Sequence, residues 1–346
     1  MATRGAIARE RLERLLRIAT CLAECGYGAQ VGQLAATARA FRADAQLWAA
    51  HARYRGPAGR TLLMHAAGTG NLARTVFLLE LGAGAGAQEL SSGETPLFLA
   101  CFMGRSATAR ALVERGGADV HAVKSTDGFT ALMAASQEGH VGIVRWLLTQ
   151  GADANYAAAA TGQTALMTAC HQGHLEVARC LVEGGGANVN TVRLMGRATA
   201  LSAASASGHL DAVTYLLERG AVGASAALLA ACKEGHVEVA RVLLERGGAK
   251  VDAEVHGNGM SALLWACRKN QLDVVRFLVE RGGANVDAAV NEHSVTALMM
   301  ASINGALECV TYLLQHGADR EARCLSGQTA LDMADSFPLV QAVLRA

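Results

Sequence analysis

Four histidines, His140, His174, His209 and His236, each stand directly after a glycine, and the chain carries nine cysteines. Imidazole and thiolate are the groups that hold zinc, at ligand distances of about 2 Å. The histidines cannot converge on one ion, because each opens a separate helix and packed helices stand about 10 Å apart. His171 and His174 are three residues apart but straddle a turn, and no Asp or Glu is placed to complete a site. Cys21 and Cys25, four apart on an expected helix, read as a reduced apolar pair. The glycine-rich stretch 82–86 lacks the Lys and Ser/Thr that follow a phosphate-binding loop. A nucleophile elbow, a zincin motif and a paired-carboxylate framework are all missing from the sequence. No catalytic residue, metal ligand or cofactor is assigned, and the chain is not expected to be an enzyme.

The elements that carry these residues repeat. Between Gly128 and Asn155, Gly128 and Phe129 form a turn tip. The apolar spacing predicts a short helix over Thr130 to Gln137, a stop at Gly139, and a second helix over Val141 to Thr149 with Val144, Leu147 and Leu148 on one face. Gly151 can cap that helix at positive φ, and residues 152–161 are expected to return as an extended hairpin arm. Neither helix is long enough to stand alone, so each must bury its stripe on a neighbouring repeat.

Thr, a Leu two residues on and a small pair recur at Thr61/Leu63/Ala66, Thr95/Leu97/Ala100, Thr130/Leu132/Ala135, Thr164/Leu166/Ala169, Thr199/Leu201/Ala204, Ser261/Leu263/Ala266 and Thr296/Leu298/Ala301. A worn copy begins at Ala226 and a truncated one at Thr329. This grammar resembles the ankyrin repeat, with its Thr-Pro-Leu-His start, Gly-His turn and Leu-Leu outer helix. The resemblance implies an all-α solenoid of stacked helix-turn-helix units with β-hairpin loops. It covers residues 59–346, with units starting near 59, 93, 128, 162, 197, 224, 259, 294 and 327.

The family histidine is replaced throughout, by Met64, Phe98, Met133, Met167, Ser202, Leu229, Leu264 and Met299. Packing is therefore expected to stand in for a hydrogen-bond network, giving a softer stack. The glycine that follows each inner helix, replaced by Asn270 in one repeat, recurs every 34 or 35 residues, except for one interval of 27 between Gly208 and Gly235. There the finger joining the fifth and sixth repeats is all but deleted, and a notch is expected.

Residues 1–58 lack the pattern and read as a small helical segment, a cap for the first repeat. A stretch from Cys25 to Trp48 is similar to the later half of an F-box, and an Ala- and Arg-rich start also fits an organelle transit peptide. This segment holds nine Lys/Arg and four Asp/Glu against 22 and 26 in the remainder, an imbalance too small to imply a nucleic-acid partner. Arg115, Arg219, Arg246 and Arg281 recur at outer-helix ends, where they suit the helix dipole. Cys101, Cys170, Cys232 and Cys267 occupy a small inner-helix position that other repeats fill with Ala or Ser. They read as reduced spacers, which places the protein inside the cell, with the cytoplasm the expected compartment and organelle targeting by the N-terminus left open. No run of 18 apolar residues predicts a membrane span.

What the resemblance implies about function is a protein partner, held by a monomer on the inner helices and hairpin tips. Large apolar residues cluster there twice: Leu99, Phe102, Met103 and Phe129, then Met260, Trp265, Val295, Met300 and Ile303. Exposed aromatics and methionines tend to anchor partners. The expectation is a non-enzymatic interaction scaffold; the alternative is a substrate-recruiting adaptor of a ubiquitin ligase working through the F-box-like segment.

Overall fold

The structure, a computed structural model, describes residues 59–193, 196–253, 259–289 and 293–346. The expectations for residues 1–58 lie outside the described residues. The chain divides into two compact bodies that meet in sequence at Thr161 and Gly162. In the first, three repeats each pair an inner with an outer helix: α1 (Leu62–Thr69) with α2 (Leu72–Glu80), α3 (Pro96–Phe102) with α4 (Ser106–Glu114), and α5 (Ala131–Gln137) with α6 (Val141–Thr149). The second continues with α7 (Ala165–Gln172), α8 (Leu175–Arg179), α9 (Ala200–Ala206) and α10 (Leu210–Glu218). It runs on through α11 (Ala224–Glu234), α12 (Val237–Glu245), α13 (Ala262–Arg268), α14 (Leu272–Glu280), α15 (Ala297–Ile303) and α16 (Leu307–Gln315). A short 3-10 turn, Asp332–Ala334, and α17 (Pro338–Arg345) close it.

The recurrent Thr or Ser has a local reason. It is the N-cap of its inner helix, and its hydroxyl accepts from the amide three residues on: Met64, Phe98, Met133, Met167, Ser202, Leu264 and Met299, at 3.1–3.4 Å. Loss of the family histidine is less costly to hydrogen bonding than its sequence replacement implies. The Met64 thioether accepts from the Thr61 amide at 3.3 Å, and the Ser202 hydroxyl accepts from the Thr199 amide at 2.8 Å. In the truncated last repeat, one Asp332 oxygen accepts from both the amide and the hydroxyl of Thr329, each at 2.8 Å. These contacts hold the Asp332 carboxyl below the usual range. Three repeats thus close a reciprocal capping box with a residue other than histidine.

Each body is cored by the same positions of successive repeats. Leu63, Ala66, Leu132, Ala135, Leu201 and Ala204 are fully buried, and so are the thiol spacers Cys101, Cys170, Cys232 and Cys267. On α6 the buried face is Ile143, Val144, Trp146 and Leu147 rather than the expected set with Leu148, which is only half-buried. Arg115, Arg219, Arg246 and Arg281 are the C-cap residues of their helices, as the sequence placed them.

The fingers are narrower than a hairpin ladder. Among the described residues, extended pairing is confined to isolated bridges such as Val123 with Thr130, and a tip is closed by a pair of backbone bonds, as from Lys124 N–H to Phe129 O and from Gly128 N–H to Lys124 O, each 2.8 Å. Residues 152–161 form turns rather than an extended arm. At the 27-residue interval, α9 and α11 still pack on each other, so the stack continues. The lost finger is replaced by an early start of α11, which runs 11 residues from a glycine N-cap without a side-chain cap. Asn190 secures the shortened link: its amide donates to Gly220 O at 3.2 Å, and its oxygen accepts from the Val222 amide at 2.8 Å.

Candidate functional site

In the first body, the candidate surface is the last turn of α3 and the finger tips beside it. The Phe98 and Phe102 rings stack with centroids 6.3 Å apart and planes 7° from parallel. Phe98 is buried, whereas Phe102 and Leu99 are half-buried and Met103 is 47% exposed. Lys124 joins helix to finger. Its ammonium lies 5.6 Å from the Phe98 ring and 3.1 Å from Asp127, while its backbone amide donates to Phe129 O. Asp127 in turn accepts from the Phe129 amide at 3.0 Å, so the half-buried Phe129 is held at a rigid tip. Beside it, Arg60 meets Glu89 at 2.9 Å and Glu94 at 3.6 Å. The apolar residues are therefore bordered by charges already paired with each other.

In the second body, Trp265 on α13 is half-buried and faces two cations: Lys233 of α11 lies 5.3 Å from its ring and Arg268 lies 5.1 Å from it. On α15, Met300 is half-buried and Ile303 is 53% exposed; Asn304 donates to the Met300 carbonyl at 2.8 Å. Val295 is half-buried at its tip. Met260 departs from the expectation of an exposed tip. It is 5% exposed, because its long unbranched chain can fold into the stack where the ring of Phe129 and the branched Val295 stay partly out.

Three of the turn histidines bind the backbone of the preceding repeat, and the four spacer cysteines lie in the core. Nε2 of His140 lies 3.1 Å from Phe102 O, that of His209 3.1 Å from His171 O, and that of His236 3.1 Å from Ala206 O. Each ring donates to a carbonyl at the end of the preceding inner helix, a group that helix leaves unpaired. The glycines at these turns are needed for that contact. A Cβ at Gly104, Gly173 or Gly208 would stand 2.5–2.7 Å from the imidazole, and all three have φ of 71–77°. Burial pushes the Cys170 and Cys232 thiols up to about 12, and those of Cys101 and Cys267 well above their ordinary value, which disfavours the thiolate form. Among the described residues, no three His, Cys, Asp or Glu side chains are placed to hold a metal ion, and no helix is long and apolar enough to cross a membrane. A cavity of about 70 Å³ lined by His121, Thr130, Asp153 and Tyr156 among others is too small for a nucleotide.

One set of residues escaped the sequence reading. Arg110 lies 5.5 Å from the Trp146 ring, Arg179 5.0 Å from Tyr215, Arg241 5.7 Å from Phe277, and Arg276 5.7 Å from Tyr312. In each pair the fifth residue of one outer helix covers the sixth residue of the next, and the separation is 36 residues every time. The signal was an Arg recurring at one helical position wherever an aromatic follows one repeat later.

Both bodies thus have the same plan: helix pairs stacked through buried Leu, Ala and Cys, with partly uncovered apolar residues on the inner helices and tips. That plan defines a repeat-built binding module. The sequence matches the family described as ankyrin repeats (3 copies) over residues 43–124, 63–158, 132–226 and 222–290, and ankyrin repeats (many copies) over 285–334. The chain belongs to the ankyrin repeat family, whose repeats mediate protein–protein interaction. Its fold is similar to the crystal structure of the human ASB11 ankyrin repeat domain, with a TM-score of 0.57 and 32% identity, covering 63% of this chain and 97% of that one. No curated protein sequence matches the chain.

Proposed function

We propose that this protein is a non-enzymatic scaffold that holds a partner protein against the inner helices and finger tips of its repeats. The observation that carries the reading is the apolar surface left uncovered there: Met103 and Ile303 are about half exposed, beside the partly exposed rings of Phe102 and Trp265. Such residues are costly to leave in water and are the usual anchors of an interface. The proposed contacts are Leu99, Phe102, Met103 and Phe129 in the first body, and Trp265, Val295, Met300 and Ile303 in the second. Met260 drops out because it is buried. The scaffold acts as a monomer, and its buried free thiols suit a reducing compartment such as the cytoplasm. The mechanism is positioning, with no bond made or broken.

Affinity purification of the intact chain, compared with Phe102→Ala and Trp265→Ala, tests this. Loss of the same co-purifying proteins from variants that keep the wild-type circular dichroism is the expected result. Full retention by both folded variants would remove the reading.

A further inference from the structure

We propose that the inner-helix face centred on Trp265 binds an extended acidic protein segment, with two carboxylates and then an apolar side chain at three-residue intervals. The proposal rests on the interaction reading above and gives the partner a chemistry. Its basis is a row of equivalent positions on successive repeats of one body: Lys233 on α11, Arg268 on α13 and Ile303 on α15, each 35 residues from the next. Beside this row runs a second, in which Trp265 and Met300 occupy equivalent positions.

Charge decides what this row selects. Residues 162–346 hold 15 Lys and Arg against 18 Asp and Glu, so the body as a whole is negative. Three of its fifteen cations, Lys233, Arg268 and Lys269, nonetheless fall on this face, and Glu234 lies 3.6 Å from Lys233. Arg268 and Lys269 are exposed, and neither has a carboxylate within 4 Å among the described residues. The Lys233 and Arg268 cations both lie over the Trp265 ring, and a cation over a ring keeps N–H donors for another partner. Holding the donors beforehand lowers the ordering cost of binding.

Spacing supplies the rest. Packed helices stand about 10 Å apart, and a chain in the polyproline II conformation advances about 3.1 Å per residue with three residues per turn, so residues three apart lie on one face and span one repeat. A segment with carboxylates three residues apart can meet Lys233 and Arg268 in turn, and a Leu or Phe a further three residues on reaches Ile303. A patch of three cations suits a short acidic run in a protein, whereas a long polyanion such as RNA would extend past it onto a body with more carboxylates than cations.

The test is selection of a displayed library of random peptides, about twelve residues long, on the immobilised full chain. Counter-selection uses the Arg268→Glu/Lys269→Glu double variant, and an oligouridylate is measured alongside. The expected peptides carry Asp or Glu at i and i+3 and an apolar residue at i+6. They bind the double variant about tenfold or more weakly, and weaken further as salt is raised. An Arg268→Gln/Lys269→Gln variant, neutral at both positions, should lose affinity to an intermediate degree. Peptides without acidic bias, indifference to charge reversal, no enrichment at all, or tighter binding of the oligouridylate would each overturn the proposal. If co-purifying proteins still depend on Trp265 and Phe102 when this happens, the acidic specification alone has failed; if they do not, the interaction reading has failed with it.

Discussion

A glycine next to a histidine is the smallest unit of order in this stack. Gly104 ends its inner helix at φ 71°, and the imidazole of His140 from the next repeat lies where a Cβ would be, 2.7 Å away. The bare backbone lets that ring reach the Phe102 carbonyl at 3.1 Å. Gly104→Ala meets two penalties together, a left-handed conformation poorly tolerated by a side chain and a ring that must move. A loss of about 1–3 kcal/mol in stability is expected, read as a shift in the midpoint of urea unfolding. An unchanged midpoint would mean that the histidine contact is incidental. Asp332 shows the same economy at the chain's last repeat, where a carboxylate does at the exposed cap what a thioether does at Met64.

Between elements, the outer helices are tied by guanidinium groups lying over rings. Arg276 covers Tyr312 from one helix back, and the Tyr312 hydroxyl donates to Glu280 at 3.1 Å. Burial and that hydrogen bond push the Tyr312 phenol up to about 12. A folded value above the unfolded one means that this contribution to stability is complete below about pH 10 and is lost as pH rises from there to about 12. Arg276→Ala and Arg241→Ala should each lower stability by about 0.5–1 kcal/mol. The two rungs use different rings, Phe277 and Tyr312, although Arg276 and Phe277 adjoin. Their effects in the double variant should add to within a few tenths of a kcal/mol, as measured by denaturant unfolding. A strongly sub-additive result would show that the rungs act as one unit.

For the whole molecule, repeats that touch only their neighbours make stability local, and the buried thiols report on it. Cys101 lies in the first body; Cys170, Cys232 and Cys267 lie in the second. Their raised values and full burial predict no reaction with a thiol reagent in the native state, and labelling only through opening of the stack. Pulse labelling across a urea gradient, read by mass spectrometry, should modify Cys232 and Cys267 together, with Cys101 free to follow its own transition. Rapid native labelling of any of the four would contradict their place in the core.

The sequence by itself determined the repeat family, the all-helical class and, among the described residues, the Thr or Ser that starts most inner helices. It could do so because caps, turn glycines and apolar spacing act within a few residues, and nine copies repeat the same message. The burial of the four spacer thiols was legible for the same reason, since Cys stands where other repeats have Ala or Ser. What only the tertiary structure decided are relations between neighbouring repeats. Met260 turns inward although Phe129 and Val295, at the same place in the pattern, stay partly out. Trp265 gains its meaning from Lys233, 32 residues earlier, and Trp146 is covered by Arg110, 36 residues earlier. These depend on how one repeat seats on the next, a distance in space that no local pattern along the chain encodes.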